Sequence, residues 1–233
     1  MYDASFDAKD LNALSARRWL WALRLAAIAA VLLAASSAAQ IPGTPTLQNA
    51  WAAPGGVAAF NFGGGPEGQT FAGAVSYAPS SAKALFAAGY GWRNGSGTTQ
   101  SGVYGFRLAF PFGSTTGSFG FAAFVGVGGG PAVTIRDTTS STTEVPIGLS
   151  VGWRRFFGGS QGFSIYATPN YVFYSGGTAN GNVMRVGLGS DIAISPAIGL
   201  TLGVELGGTR EATLGGPSGV LYGVGVSYAF KRR

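Results

Sequence analysis

The sequence predicts an all-β chain: a membrane-spanning, antiparallel, up-and-down β-barrel of ten strands, with eight and twelve as the neighbouring counts. Three observations carry this. Segments of about ten residues alternate large apolar with very small side chains, as strands do when successive side chains point to opposite faces. Charges within those segments fall on the small side. The stretches between them are rich in Gly, Ser, Asn and Pro, the residues of turns. The last segment is the clearest: Tyr222, Val224, Val226, Tyr228 and Phe230 share one face, and Gly223, Gly225, Ser227 and Ala229 the other. A soluble sheet sets an apolar core face against a charged, wet one. Here the second face has neither charge nor bulk, which suits a crowded or hollow interior with the apolar face against lipid.

The N-terminal stretch reads as something removed. Arg17, Arg18 and Arg24 flank an unbroken apolar run over residues 25–35, and Ser37, Ala38 and Ala39 supply the small residues of a cleavage site before Gln40. Residues 1–39 are therefore expected to be a signal peptide. The competing reading, a membrane anchor over residues 19–39, is barely long enough and is interrupted by Arg24. Asp3, Asp7 and Asp10 are unusual ahead of such a signal, and a misplaced start codon before residue 17 would explain them. The remaining 194 residues suit one barrel domain: a lead segment over 40–55, the barrel over 56–230, and a basic tail of Lys231, Arg232 and Arg233. Their eleven Lys/Arg against six Asp/Glu leave a net charge of +5. No later apolar run reaches the 18 residues that a transmembrane helix needs, and there are no cysteines to staple an exported chain. A closed hydrogen-bonded barrel stabilises it instead.

The elements follow in order. A first strand ends in Ala58, Phe60 and Phe62, and residues 63–69 turn the chain. The second presents Phe71, Val75 and Tyr77 outward, with Ala72, Ala74 and Ser76 inward. After Pro79, Ser80 and Ser81, the third shows Phe86, Ala88, Tyr90 and Trp92. Residues 94–97 form a loop. The fourth carries Tyr104, Phe106, Leu108 and Phe110 outward, opposite Gly105, Arg107 and Ala109. The fifth carries Phe119, Phe121, Ala123, Val125 and Val127, and then residues 136–144 make the longest polar stretch, expected as a loop. The sixth sets Ile147, Leu149, Val151 and Trp153 against Gly148, Ser150, Gly152 and Arg154. The seventh runs over 163–174. Pro169 inside it predicts a bulge or a local edge, because proline removes a ladder donor. The eighth sets Met184, Val186, Leu188 and Ile192 against Arg185, Gly187, Gly189 and Asp191. The ninth sets Leu200, Leu202, Val204 and Leu206 against Thr201, Gly203, Glu205 and Gly207, and residues 208–219 form the last loop before the tenth.

This assignment contains its own check. Arg107, Arg154, Arg185, Asp191 and Glu205 all fall on the inward face. An outward charge at mid-bilayer would cost ~2–4 kcal/mol. Arg155 has outward parity but lies past Trp153 at a strand end. Aromatics gather toward strand ends: Phe62, Phe71, Trp92 and Tyr104 beside one set of loops, and Phe110, Trp153, Phe163, Tyr228 and Phe230 beside the other. These are the two girdles a spanning barrel places at the headgroups.

On these grounds residues 51–230 resemble the small bacterial outer-membrane β-barrel proteins as a broad class. The most specific element is the run Gly225, Val226, Ser227, Tyr228, Ala229, Phe230. It resembles the C-terminal signal by which such proteins engage the barrel-assembly machinery, with Gly225, Tyr228 and Phe230 in the matching positions. Gly223 stands where a polar residue is usual, and three basic residues follow the final aromatic. The resemblance implies a bacterial outer-membrane location, outer-membrane lipid around the wall and the assembly machinery as a partner during biogenesis.

Much chemistry is excluded. The chain has no histidine, so the histidine-dependent mechanisms of outer-membrane acyltransferases, phospholipases and proteases lack their general base. Lys83 beside Ser80 and Ser81 reads as a solvated turn rather than a Ser–Lys pair. Asp137, Glu144 and Glu211 have no ligand-like spacing, and no metal or other cofactor is expected. The glycine runs at 89–97 and 126–130 precede no helix that would hold a phosphate. No basic stripe interleaved with aromatics points to nucleic acid. No enzyme is expected. Two functions remain. In one, small inward residues leave a passive pore, lined by Arg107, Arg154, Arg185, Asp191 and Glu205, for small solutes or ions. In the other, those five charges form a buried network that plugs a non-conducting structural or surface-interaction barrel. Arg93, Arg136 and Arg210, near the outer loops, are positioned for anionic headgroups.

Overall fold

The computed structural model of the chain describes residues 50–51, 54–65, 68–81, 83–94, 101–112, 117–135, 138–158, 161–176, 179–207 and 220–230. Residues 1–39, most of the lead segment, Arg136, Asp137, Arg210, Glu211 and the basic tail lie outside them. Ten strands form: β1 (Gly55–Gly65), β2 (Gly68–Ala78), β3 (Leu85–Asn94), β4 (Ser101–Phe112), β5 (Phe119–Ile135), β6 (Thr138–Gly158), β7 (Gln161–Gly176), β8 (Ala179–Ala193), β9 (Ile198–Gly207) and β10 (Leu221–Phe230). Each pairs antiparallel with its sequence neighbours, and β1 pairs with β10, so the sheet is a closed up-and-down barrel without a helix among the described residues.

Closure is a consequence of stagger. A cross-strand row followed from Ser101 of β4 passes through Arg93, Thr70, Gly63, Gly223, Gly203, Gly189, Tyr166 and Gly152 to Gly120 of β5. Gly120 lies one residue from Phe121, the partner of Phe112, near the far end of β4. One circuit has slipped by roughly twelve residues, the stagger that tilted strands need to close. The start of β1, the end of β10 and the even-numbered hairpin turns lie at one mouth, the N-terminal mouth. The opposite, outer mouth carries the remaining turns.

Alternation is strict. The outward rows are exposed and apolar, including Phe60, Tyr90, Leu202, Val226 and Phe230, while their neighbours in sequence are buried or half-buried. Aromatic neighbours touch within both girdles: Phe62 and Phe71 with centroids 4.9 Å apart near the outer mouth, Tyr228 and Phe230 5.5 Å apart near the other. Soluble monomers rarely expose a contiguous apolar belt of this kind.

Two expectations change. The polar stretch 136–144 is not all loop: β5 runs on to Ile135 and β6 starts at Thr138, so Glu144 lies in a strand paired with Tyr174. Thr tolerates the pleated backbone well, so a polar stretch can continue a strand as readily as form a loop. Of the two accommodations expected at Pro169, a local edge forms and a bulge does not. The proline stays in register opposite Val186, and the β6–β7 ladder is interrupted locally between the pairs Gly148–Asn170 and Val151–Ala167. Register shifts occur instead at Gly130/Val133 and at Phe156/Gly158.

Candidate functional site in the barrel lumen

The five inward charges fall into three clusters at different heights. Nearest the outer mouth, Arg185 of β8 bridges two carboxylates. Its guanidinium donates to both oxygens of Glu144 on β6, at 3.0 and 3.2 Å, and lies 3.6 Å from Glu205 on β9. Arg185 and Glu205 are only 6% and 8% exposed. The fork geometry of guanidinium suits such bridging, and one cation is shared between two carboxylates.

The middle cluster centres on Arg107 of β4, 7% exposed. It donates to the Ser150 hydroxyl at 2.9 Å and stacks 3.7 Å from the centroid of Phe124. Tyr166 of β7 lies within electrostatic reach of both Arg107 and Asp191. Its ring leans over Gly189, its register partner, where a Cβ would overlap it. Asp191 accepts from Thr201 at 2.6 Å and Ser164 at 3.3 Å. Asn61, Ser150 and Thr168 are fully buried around these groups.

The third cluster closes in on the N-terminal mouth. Arg154 of β6 donates to the Gly117 carbonyl at 3.3 Å, and its guanidinium lies 4.9 Å from the ring of Trp51. Trp51 belongs to the lead segment yet sits inside the barrel, against Gly120 and Gly152.

Filling is one-sided. Bulk comes from β4 to β8, whereas Gly63, Gly223, Gly203 and Gly189 stand in register on four adjacent strands, β1, β10, β9 and β8, and form a thin inner wall. Sequence reasoning missed Glu144, Phe124, Tyr166 and Trp51 as lumen residues. Glu144 was accessible by extending the inward parity of Gly148 and Ser150 backwards through Pro146. Phe124 follows from the parity of its own strand. Trp51 had no signal, because no alternation extends into the lead segment. Lys83, Ser80 and Ser81 are exposed in the turn after β2.

No family model matches the chain, and no curated protein does either. Several solved structures are similar. The N-terminal β-barrel domain of Pseudomonas aeruginosa OprF shares 11% identity, covering 76% of this chain and 98% of that one, with a TM-score of 0.36. The β domain of the Bordetella autotransporter BrkA shares 14%, covering 77% and 100%, at 0.40. The outer membrane protein Omp33 of Acinetobacter baumannii shares 8%, covering 76% and 98%, at 0.36. The closed ten-strand sheet and its apolar belt stand independently of these likenesses. The fold is a closed, ten-stranded, antiparallel up-and-down β-barrel.

Proposed function

We propose that this is an integral barrel of the bacterial outer membrane whose lumen is closed across its middle by its own side chains. It then acts as a structural or surface-interaction protein rather than an open pore, without catalysis or cofactor, surrounded by outer-membrane lipid. The burial of Arg107, Arg185 and Glu205 carries this reading. A charge lining open water would be exposed, whereas these are held by partners from two or more strands. The second reading, a narrow passive pore, draws support from the row of glycines on β1, β10, β9 and β8, which adds no side-chain bulk to the lumen on that side.

Planar-bilayer recording separates the two. The closed-lumen reading expects no steady current from the wild type. A current whose preference shifts toward cations when Arg107, Arg154 and Arg185 are exchanged for Glu would replace it with the pore.

The C-terminal run is proposed to serve as the assembly signal. Supporting this, Tyr228 and Phe230 are exposed on the outward face of β10, which closes the barrel against β1, with Gly225 buried on the inner face. Tyr228→Asp or Phe230→Asp is expected to cut outer-membrane yield sharply, and removal of residues 231–233 to leave it near normal. Normal yield from both Asp variants would reject the signal.

A further inference from the structure

We propose that the outward face of β8, β9, β10 and β1 carries a seat for a single acyl chain of an outer-leaflet lipid. This rests on the reading of the chain as a membrane barrel and goes beyond it, since there lipid is only the surrounding solvent. The seat is a groove of about 620 Å³. The side chains that line it all have outward parity, so it opens on the outside of the barrel and not into the lumen. One bank is the register row Phe62, Val224, Leu202 and Ser190. The other is the row Tyr222, Val204 and Leu188. Between the banks the floor is bare backbone at Gly223, Gly203 and Gly189.

The groove follows from which residues stand two apart on each strand. Elsewhere on the belt, successive outward aromatics of one strand touch and bridge the gap between rows. Tyr90 meets Trp92 with centroids 5.2 Å apart, Tyr171 meets Phe173 at 5.0 Å and Tyr228 meets Phe230 at 5.5 Å. Across the groove the corresponding pairs are Leu188 with Ser190, Leu202 with Val204 and Tyr222 with Val224, and none of them is a pair of rings. Tyr222 turns its ring over Gly64, its partner on β1, with the hydroxyl 3.0 Å from where a Cβ would stand. Phe62 turns to Phe71, 4.9 Å away. Two aromatics therefore frame the β1 end, near the outer mouth, while the small Ser190 leaves the β8 end open.

Four adjacent strands about 4.8 Å apart give a length of roughly 14 Å, close to half of a ~30 Å hydrocarbon core. The register rows descend from the outer mouth as they pass from β1 to β8, so the groove admits a chain from the outer leaflet. Its polar end then lies beside Tyr222, an aromatic suited to the headgroup level. Lipid tails are as apolar as leucine, so no hydrophobic force favours the seat. Contact does: a chain in the groove meets protein on both flanks and beneath, and small dispersion gains add along its length. The volume also falls within the ~300–1,000 Å³ of ordinary ligand sites.

Photolabelling tests the seat. The full chain is folded into phosphatidylcholine vesicles in which a small fraction of the lipid carries a diazirine midway along one acyl chain, and adducts are mapped by mass spectrometry. Adducts are expected to be at least fivefold more frequent at Leu188, Leu202 and Val204 than at Val75, Ile147 and Leu149, which are outward and at least as exposed. Leu202→Phe combined with Val204→Phe builds the bridging ring pair found elsewhere on the belt. It should lower labelling of Leu188 to the level of Val75, with the heat-modified gel shift unchanged. Ser190→Phe, which fills the open end alone, should do the same. Equal labelling of all six positions in the wild type overturns the seat and leaves the barrel in lipid. Labelling at Ile147 and Leu149 but not in the groove also overturns it, with a second copy of the chain as the occupant. Labelling of no outward row overturns the seat and the membrane barrel together.

Discussion

The barrel has a tall wall and a low wall, built on different rules. In the tall wall, β5 to β8 run 17, 21, 16 and 15 residues. In the low wall the strands run 10 to 12 residues. The tall wall also supplies much of the lumen's bulk and charge: Phe124, Glu144, Tyr166, Asn170, Val172, Tyr174 and Arg185. Across from it, β9, β10 and β1 present glycine after glycine. A barrel of this size need not be filled evenly. One wall fills it, and the other makes room. A survey of inward residues that mixes the two walls overstates how open the lumen is, because the small residues and the large ones face each other across it.

The largest expected effect tests the filling side. Arg185→Ala removes the cation between Glu144 and Glu205 and leaves two carboxylates facing each other in a buried site. Loss of about 3–5 kcal/mol is expected, as for other buried pairs broken on one side. Urea unfolding in detergent reads it. Adding Glu144→Gln and Glu205→Gln to the same variant should recover most of the loss. If Arg185→Ala unfolds with the wild type, water fills the cluster and the tall wall does not close the lumen.

The legibility of the chain divides along the same line. The low wall was readable because large–small alternation fills its short strands nearly from end to end. The final strand and the third are examples: apart from Asn94 at the end of the third, their outward residues are all Phe, Tyr, Trp, Val or Ala. The tall wall was readable only where lipid imposes that contrast, from Phe119 to Val127 and from Ile147 to Trp153. Before Ile147, β6 reads Thr, Thr, Ser, Ser, Thr, Thr and Glu, and a strand there carries the same composition as a loop. Lumen contacts were less legible still. Parity located Arg107, Arg185, Asp191 and Glu205 on the inner face, but which of them meet depends on stagger between strands far apart in sequence. The Arg185–Glu144 pair joins residues separated by 41 positions.

A second prediction sharpens the boundary of the low wall. Val204 is an outward residue of β9, between Leu202 and Leu206 and opposite Tyr222 on β10. Val204→Arg sets a charge against acyl chains near the centre of the span and is expected to cost ~2–4 kcal/mol. The same unfolding assay in lipid vesicles measures it. A near-neutral result would move the bilayer off the low wall altogether.

The smallest expected effect comes from the same substitution placed higher on the tall wall. Asn182 is exposed on the outer face of β8, two residues nearer the outer mouth than Met184, and accepts a hydrogen bond from the Tyr171 hydroxyl. The ladder between β8 and β9 ends at the pair Arg185–Gly207, so Asn182 stands above the rim of the low wall. If lipid ends near that rim, Asn182→Arg places its charge at the headgroups or in water, where the penalty falls to ~0–1 kcal/mol. An exposed hydrogen bond adds little, since water replaces the lost partner. Equal costs at Asn182 and Val204 would mean that lipid reaches the upper part of the tall wall. In that case the extra length of β7 and β8 is membrane-embedded and offers no surface above the bilayer.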